Sequence, residues 1–536
     1  MTSTEPISVD AVVIGAGPNG LVAANALVDA GWEVLVLEAQ PTIGGAVRSA
    51  EVTRPGFVSD LFSAFYPLAA ASPLIRDLHL EGHGLQWTQA PTVLAHALTD
   101  GRAAVLHRDA ERTASGLDEF SDGDGQAWLA LFAQWQRIRD PLLDALFTPF
   151  PPLRSGLSLL SRLGTAAALR FARMATTPVR RLGQEEFAGE GGRLLLTGNA
   201  MHSDVPVDAA GSGMFGWLLC MLGQDVGFPV PQGGAGALAA AMAARARAGG
   251  AVIRTSAPVD RVLVRAGRAD GVRLADGSTI RVRRSVLADV SAPALYQRLL
   301  AAGDVPARLL RDLRRFQWDS STLKINWALD GPVPWLADEA TRAGTVHLGA
   351  DLDDLVDFGA DLSVGRRPAR PFILFGQMTT ADSSRSPLGT ESAWAYSHLP
   401  AHYAGNRAEL DDHVARMQHA VDAVAPGFSD LVSARHVQYP GELEAANANL
   451  VDGALNGGTA ALHQELMFRP TPGLGRPETP IDGLYLASAS AHPGGGVHGA
   501  CGWNAARVAL HANGRFGTVH AALARTAWRR VLGETP

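Results

Sequence analysis

The sequence predicts an α/β chain in which a parallel-sheet domain is interleaved with a second domain of mixed sheet and helices. Three observations predict it. A buried-strand run at 10–14 leads into a glycine-rich turn, a helical pattern and a second strand that ends at Glu38. A strand, glycine cluster and helix pattern recur near the other end, over 483–511. At 536 residues the chain also exceeds what one simple core organises, so two domains are expected.

Composition narrows the function classes. With 47% apolar residues, 18% charged residues and a net charge of −7, the chain is globular and has no basic excess to suit a nucleic-acid partner. The start, MTSTEPISVDAVV, is acidic and lacks a basic region before a long apolar run, so no signal peptide is expected. The longest uncharged apolar run, near 209–224, is rich in Gly and Ser and reads as a buried helix rather than a membrane span. Cys220 and Cys501 stand far apart and form no C-x-x-C pair, which excludes a disulfide framework and dithiol redox chemistry. Cytoplasmic residence and no metal site are expected.

The amino-terminal turn is Gly15-Ala16-Gly17-Pro18-Asn19-Gly20. Gly15 permits the tight turn, Gly17 lets a pyrophosphate approach the backbone, and Gly20 lets helix and strand pack closely. Phosphates then meet the free N–H groups and positive dipole of the helix start. Glu38 at the end of the second strand accepts hydrogen bonds from a ribose and repels a 2′-phosphate. The string Glu38-Ala39-Gln40-Pro41-Thr42-Ile43-Gly44-Gly45-Ala46-Val47-Arg48-Ser49 resembles the double-glycine motif of FAD-binding flavoproteins. The pair Gly44-Gly45 allows a second close backbone approach, and Arg48 neutralises phosphate charge. A plain surface arginine is the alternative for Arg48.

The other glycine cluster, Gly494 to Gly499, also matches G-x-G-x-x-G, yet no second strand and acid follow it. It therefore reads as a strand-to-helix turn that closes the same site, its N–H groups stabilising negative charge on a reduced ring. Together VVIGAGPNGLVAANAL, GGAVRS, the central Pro231-Gln232-Gly233-Gly234-Ala235-Gly236 and GLYLASASAHPGGGVHGACGWNAA resemble the phytoene desaturase-like flavoproteins. More narrowly the resemblance is to the phytoene dehydrogenase-related and pyridine nucleotide-disulfide oxidoreductase domain-containing branch, within the flavin amine oxidase superfamily. It implies a Rossmann-like FAD-binding domain of the glutathione reductase type, interleaved with a mixed-sheet plus helical substrate domain. The expected FAD domain comprises 1–90, 229–300 and 475–525, the substrate domain 91–228 and 301–474, and a tail 526–536. By the same resemblance Val259, Ser488, Gly496, Val497, His498 and Asn504 join the FAD contacts. Ser488 departs from the family, which has glycine there.

Lys324 is the single lysine, in a stretch, Ser321 to Leu329, that alternates and reads as a strand. The superfamily carries a lysine on such a strand, reaching flavin N5 through a water, so the resemblance makes Lys324 a catalytic candidate. A packed stem with a hydrated head is the alternative. His498 is a candidate proton carrier, against a purely structural bond to the turn, and His202 in NAMHSDVPVD is a weaker one. In amine oxidases the closing segment places an aromatic beside the flavin. The matching position here is about Gly496, whose missing side chain suits a bulky substrate.

The expected activity is thus hydride removal from a C–H bond of a hydrophobic, largely apolar small molecule, an isoprenoid or polyene among the options, with oxygen or a quinone as electron acceptor. Amine oxidation with peroxide release, redox-neutral double-bond isomerisation and a non-catalytic flavoprotein are the alternatives. Six arginines and no acid lie between 154 and 181, with Arg154, Arg162 and Arg170 eight apart on one helical face. That stretch suits peripheral contact with an anionic bilayer, a partner interface or a lid.

Overall fold

The structure, a computed structural model, describes residues 7–533 except 350, 474 and 516. Two seven-stranded sheets organise it. In the first, strand Ser8–Ile14 pairs in parallel with Val34–Leu37 on one side and Thr279–Ala288 on the other, and Val252–Arg254 extends the parallel run. The ten-residue strand Thr279–Ala288 serves two further partners on its other edge. Its first half closes an antiparallel ribbon with Arg268–Leu274, while its last residues pair in parallel with Leu484–Leu486 from the far end of the chain. At the centre the segments Ala11–Ile14, Val34–Leu37 and Val286–Ala288 are apolar throughout and buried, as strands covered on both faces must be. Helices Pro18–Asp29, Ala235–Ala248 and Ala500–Ala512 pack their Ala, Leu and Val side chains on one face.

The second sheet runs in the order Val432–Gln438, Ser321–Leu329, Glu391–Leu399, Ile373–Gln377, Ala343–Leu348, Thr92–Ala97, Ala103–Leu106. Its neighbours are antiparallel except Thr92–Ala97 with Ala343–Leu348. Ser321–Leu329 shows why it is a strand: Leu323, Ile325, Trp327 and Leu329 alternate into one core with Val414, Met417 and Val421 of helix Arg407–Val424. Thr322, Lys324 and Asn326 therefore face the other way. That second face looks toward a helical layer built from Asp124–Phe147, Leu153–Thr176, Val179–Glu186, Glu190–Ala200 and Ser212–Asp225. The run near 209–224 is accordingly a buried helix, Ser212–Asp225. Among the described residues no helix is long and apolar enough to cross a membrane. The arginine-rich stretch is not one helix: Gly164 interrupts it at φ 72°, and Pro178 begins a new helix, Val179–Glu186. The interruption breaks the helical register between Arg162 and Arg170, so the eight-residue spacing does not place all three on one face.

Candidate cofactor and substrate site

Between the two sheets lies a cavity of about 1150 Å³. At one end it is walled by Gly15, Gly17, Pro18, Asn19, Glu38, Ala39, Gly45, Arg48 and Val259. Ser488, Gly496, Val497 and His498 of the closing segment, with Lys324 and His202, wall it further along. The remaining sequence candidates lie behind the wall. Gly20 packs so closely that a Cβ would stand 2.2 Å from Gly15 O, and its N–H donates to Asp289 Oδ2 at 2.9 Å. Gly44, at φ +112°, turns the chain against Val47 O. Asn504 donates from Nδ2 to Phe147 O at 2.9 Å, tying the last helix of the nucleotide half to the helical layer.

The glycines explain the shape of the nucleotide end. A Cβ on Gly17 would meet Asp289 Oδ2 at 2.9 Å, and one on Gly45 would meet Gly17 Cα at 3.0 Å. The two turns touch, so backbone alone is presented to the cavity, which is the cradle a pyrophosphate needs. Glu38 accepts from Ala16 N and Gln40 N, each at 2.8 Å. A carboxylate has about four acceptor positions, so ribose hydroxyls find room there. Arg48 is a wall residue: Nε donates to Gly45 O at 2.9 Å, Nη2 to Ala446 O at 2.7 Å, and burial lowers its pKa. The residues present thus fit a dinucleotide.

Lys324 is buried on the cavity floor. Its ammonium donates to the carbonyls of Asp60 and Phe62, the latter at 2.9 Å, and faces the Trp394 ring at 5.0 Å. Trp394 lies flat because its neighbour is Gly376, where a Cβ would come within 2.3 Å of the indole. Burial pushes the Lys324 pKa down to about 7; attraction from Asp60 opposes this and repulsion from Arg385 adds to it. Asp60 and Arg385 form a fully buried ion pair at 2.6 Å. Asp60 also accepts from Ser49 Oγ and Ala235 N at 2.7 and 2.8 Å, so one carboxylate locks both halves of the chain around the lysine.

His498 accepts at Nδ1 from Ala500 N at 3.0 Å, capping the helix that follows, and burial pushes it down to about 4. It keeps a cavity face, so both readings of it have a physical basis. His492 meets Thr148 O through Nε2 at 3.1 Å. His202 pairs Nε2 to Nε2 with His347 at 2.9 Å, and burial holds it near 3. Sequence reasoning missed Asp289, His347, Trp394, Tyr396 and Arg385. Asp289 had a signal, an acid closing the buried strand Thr279–Ala288, and burial raises its carboxyl to about 7. Among the described residues no cluster of His, Cys and carboxylates is arranged to hold a metal.

Comparison with known proteins agrees with this geometry. The family model described as "Flavin containing amine oxidoreductase" matches residues 19–510. The pyridine nucleotide-disulfide oxidoreductase domain-containing protein 2 of Mus musculus is 30% identical, covering 93% of each chain. The zeta-carotene-forming phytoene desaturase of Myxococcus xanthus is 26% identical over 91% of this chain and 90% of its own. Among solved structures, an oxidoreductase from Methanosarcina mazei superposes with a TM-score of 0.62 at 17% identity, over 94% of this chain and 99% of its own, which shows the fold. The chain therefore belongs to the flavin-containing amine oxidoreductase family, with phytoene desaturase-like proteins among its relatives, and its cofactor is a flavin.

Proposed function

We propose that this protein is an FAD-dependent oxidoreductase that removes hydride from a C–H bond of a bulky, largely apolar molecule. The carrying observation is that one cavity joins the nucleotide turns to a chamber walled by Leu142, Leu146, Phe171, Met214, Phe215 and Leu218. FAD is favoured over a nicotinamide nucleotide because two touching glycine turns and Arg48 extend the cradle beyond a single turn. When bound, FAD supplies the two-electron acceptor. The chain supplies the rest. Apolar walls exclude water, with Leu68 rather than a closing-segment side chain forming the wall at Gly496, where a Cβ would stand 2.8 Å from its Cδ1, and Lys324, poised near neutrality, holds or releases a proton at Nζ. Oxygen or a quinone is the proposed final acceptor.

The test is anaerobic bleaching of the visible flavin band, screened across polyenes, fatty derivatives and amines. Bleaching by an apolar member is expected, and Lys324→Met should keep the flavin while slowing bleaching or reoxidation at least tenfold. Bleaching by amines alone, with peroxide and aldehyde formed, would turn the reading to amine oxidation. Against that second reading, the Trp394 face that would attract an amine already meets Lys324.

The segment Leu153–Thr176, two helical pieces joined at Gly164, gives the substrate a route. Leu153, Leu157, Leu160 and Leu169 are exposed on it, while Phe171 and the neighbouring Pro152 and Ala175 reach the cavity. Arg173, Arg180 and Arg181 are ion-paired with Glu185, Asp208 and Asp353, which leaves Arg154, Arg162 and Arg170 to complement anionic lipid, and peripheral contact there is part of the proposal. Co-sedimentation with anionic but not neutral vesicles is the expected result.

A further inference from the structure

The register of the second sheet sets a row of polar side chains across the cavity side. Lys324 stands opposite Tyr396, Tyr396 opposite Leu374, Leu374 opposite His347, and His347 opposite His96. Directly opposed residues share a face. From the loop after helix Glu190–Ala200, His202 enters this row, lining the cavity beside Phe228 and bonding His347 at 2.9 Å. The closeness depends on Gly198, where a Cβ would stand 2.4 Å from His347 Nδ1. Thr345, two residues along the same face, lines the cavity with a buried hydroxyl that has no hydrogen-bond partner among the described residues.

A neutral imidazole has one donor and one acceptor nitrogen. The bond between the two Nε2 atoms uses one nitrogen of each ring, so Nδ1 is what His202 has left for a ligand. Burial, aided by repulsion from His398 at His202 and from His202 and His96 at His347, keeps both rings neutral at working pH. Neutral groups in an apolar chamber do not compensate a carboxylate or an ammonium, whose desolvation is far more costly than that of a neutral polar group. They do reward a neutral polar atom, and each buried hydroxyl or imidazole left unpaired carries a desolvation cost that such an atom relieves.

We propose that the substrate carries a neutral oxygen function, a hydroxyl or carbonyl, that seats on His202, with His347 as the positioning residue that fixes the ring's tautomer and tilt. This rests on the reading that the apolar chamber holds the substrate, and it names that substrate's class more closely: an oxygenated hydrophobe rather than a plain hydrocarbon.

The test is equilibrium binding to the flavin-loaded protein, read by quenching of tryptophan emission, since Trp394 lines the chamber. The probes are matched pairs, farnesol with farnesene and octadecan-1-ol with octadecane. The alcohol of at least one pair should bind about tenfold tighter than its hydrocarbon. His202→Leu should bring that ratio close to one with flavin absorbance unchanged. His347→Leu should lose most of the preference, and His347→Gln, which keeps a donor at that place, should restore it to within about threefold. A ratio near one in the wild type for both pairs, or no binding by any probe, overturns the proposal without needing a variant to fold. So does a preference that survives His202→Leu. Because the readout is binding, a selective seat combined with no flavin bleaching by any compound would sink the redox reading and leave the seat standing.

Discussion

Lys324 offers a prediction whose size follows from its surroundings. A lysine in the unfolded chain titrates near 10.4, whereas burial brings this one to about 7. Between those values the unfolded chain holds one more proton than the folded chain, so this residue's contribution to stability rises with pH across that window. Lys324→Met keeps the stem and removes the titration. At about 1.36 kcal/mol per pH unit, the stability of the wild type relative to Lys324→Met should rise by about 2 kcal/mol between pH 7 and 9, and be nearly flat below pH 6. With an unfolding entropy of about 2.1 cal/mol/K per residue over 536 residues, this corresponds to about 2 °C in Tm. The assay is urea unfolding or calorimetry of both proteins at pH 6, 7, 8 and 9 with matched flavin occupancy. A gap that does not change with pH would refute the reasoning, because it would mean the amine is hydrated in the folded state. A gap that shrinks as pH rises would show that Asp60 outweighs burial.

Other perturbations follow from the same geometry. On the proposed ribose-anchoring role of Glu38, Glu38→Ala should release the flavin on purification; full yellow occupancy would contradict that role. Arg385→Met strands the fully buried Asp60 carboxylate and should cost about 3–5 kcal/mol by denaturant unfolding, far more than an exposed arginine would. Gly17→Val should abolish flavin binding, because its side chain enters the cradle against Asp289, while circular dichroism stays near that of the wild type.

The nucleotide half was legible because its constraints are local. A turn that must expose backbone selects glycine, and Gly15 and Gly17 declare themselves by spacing, whereas Gly45 was read from the resemblance of its string to a known motif. Strand Ser321–Leu329 was legible for a related reason, since alternation alone separates the apolar side chains from Lys324. The walls of the chamber were not. His347 matters because it stands opposite Leu374 and meets His202 from another element, and no local pattern carries that pairing. Arg385 likewise reads as a loop residue until the fold brings it to Asp60. The arginine stretch misled by regularity: spacing implied one continuous face, and Gly164, in a left-handed conformation, breaks it. Asn504 was taken from resemblance as a cofactor contact, and the structure shows its Nδ2 donating to the backbone of Phe147.

The strand Leu484–Leu486 has a consequence for how the molecule is made. It completes the first sheet beside Thr279–Ala288, yet leaves the ribosome about 470 residues after Ile14. At synthesis rates of roughly 5–20 residues per second, the amino-terminal strand waits about 25–90 seconds before this member of its sheet emerges. Thr279–Ala288 emerges partway through, and its edge then stays open for the roughly 200 residues before Leu484, about 10–40 seconds at the same rates, while the cofactor cradle lacks one wall. A nascent chain halted in this period would be a liability to the cell, with an apolar edge free to pair with another chain. Synthesis thus exposes this edge before its partner exists, and early capture of the flavin or of a chaperone would shield it.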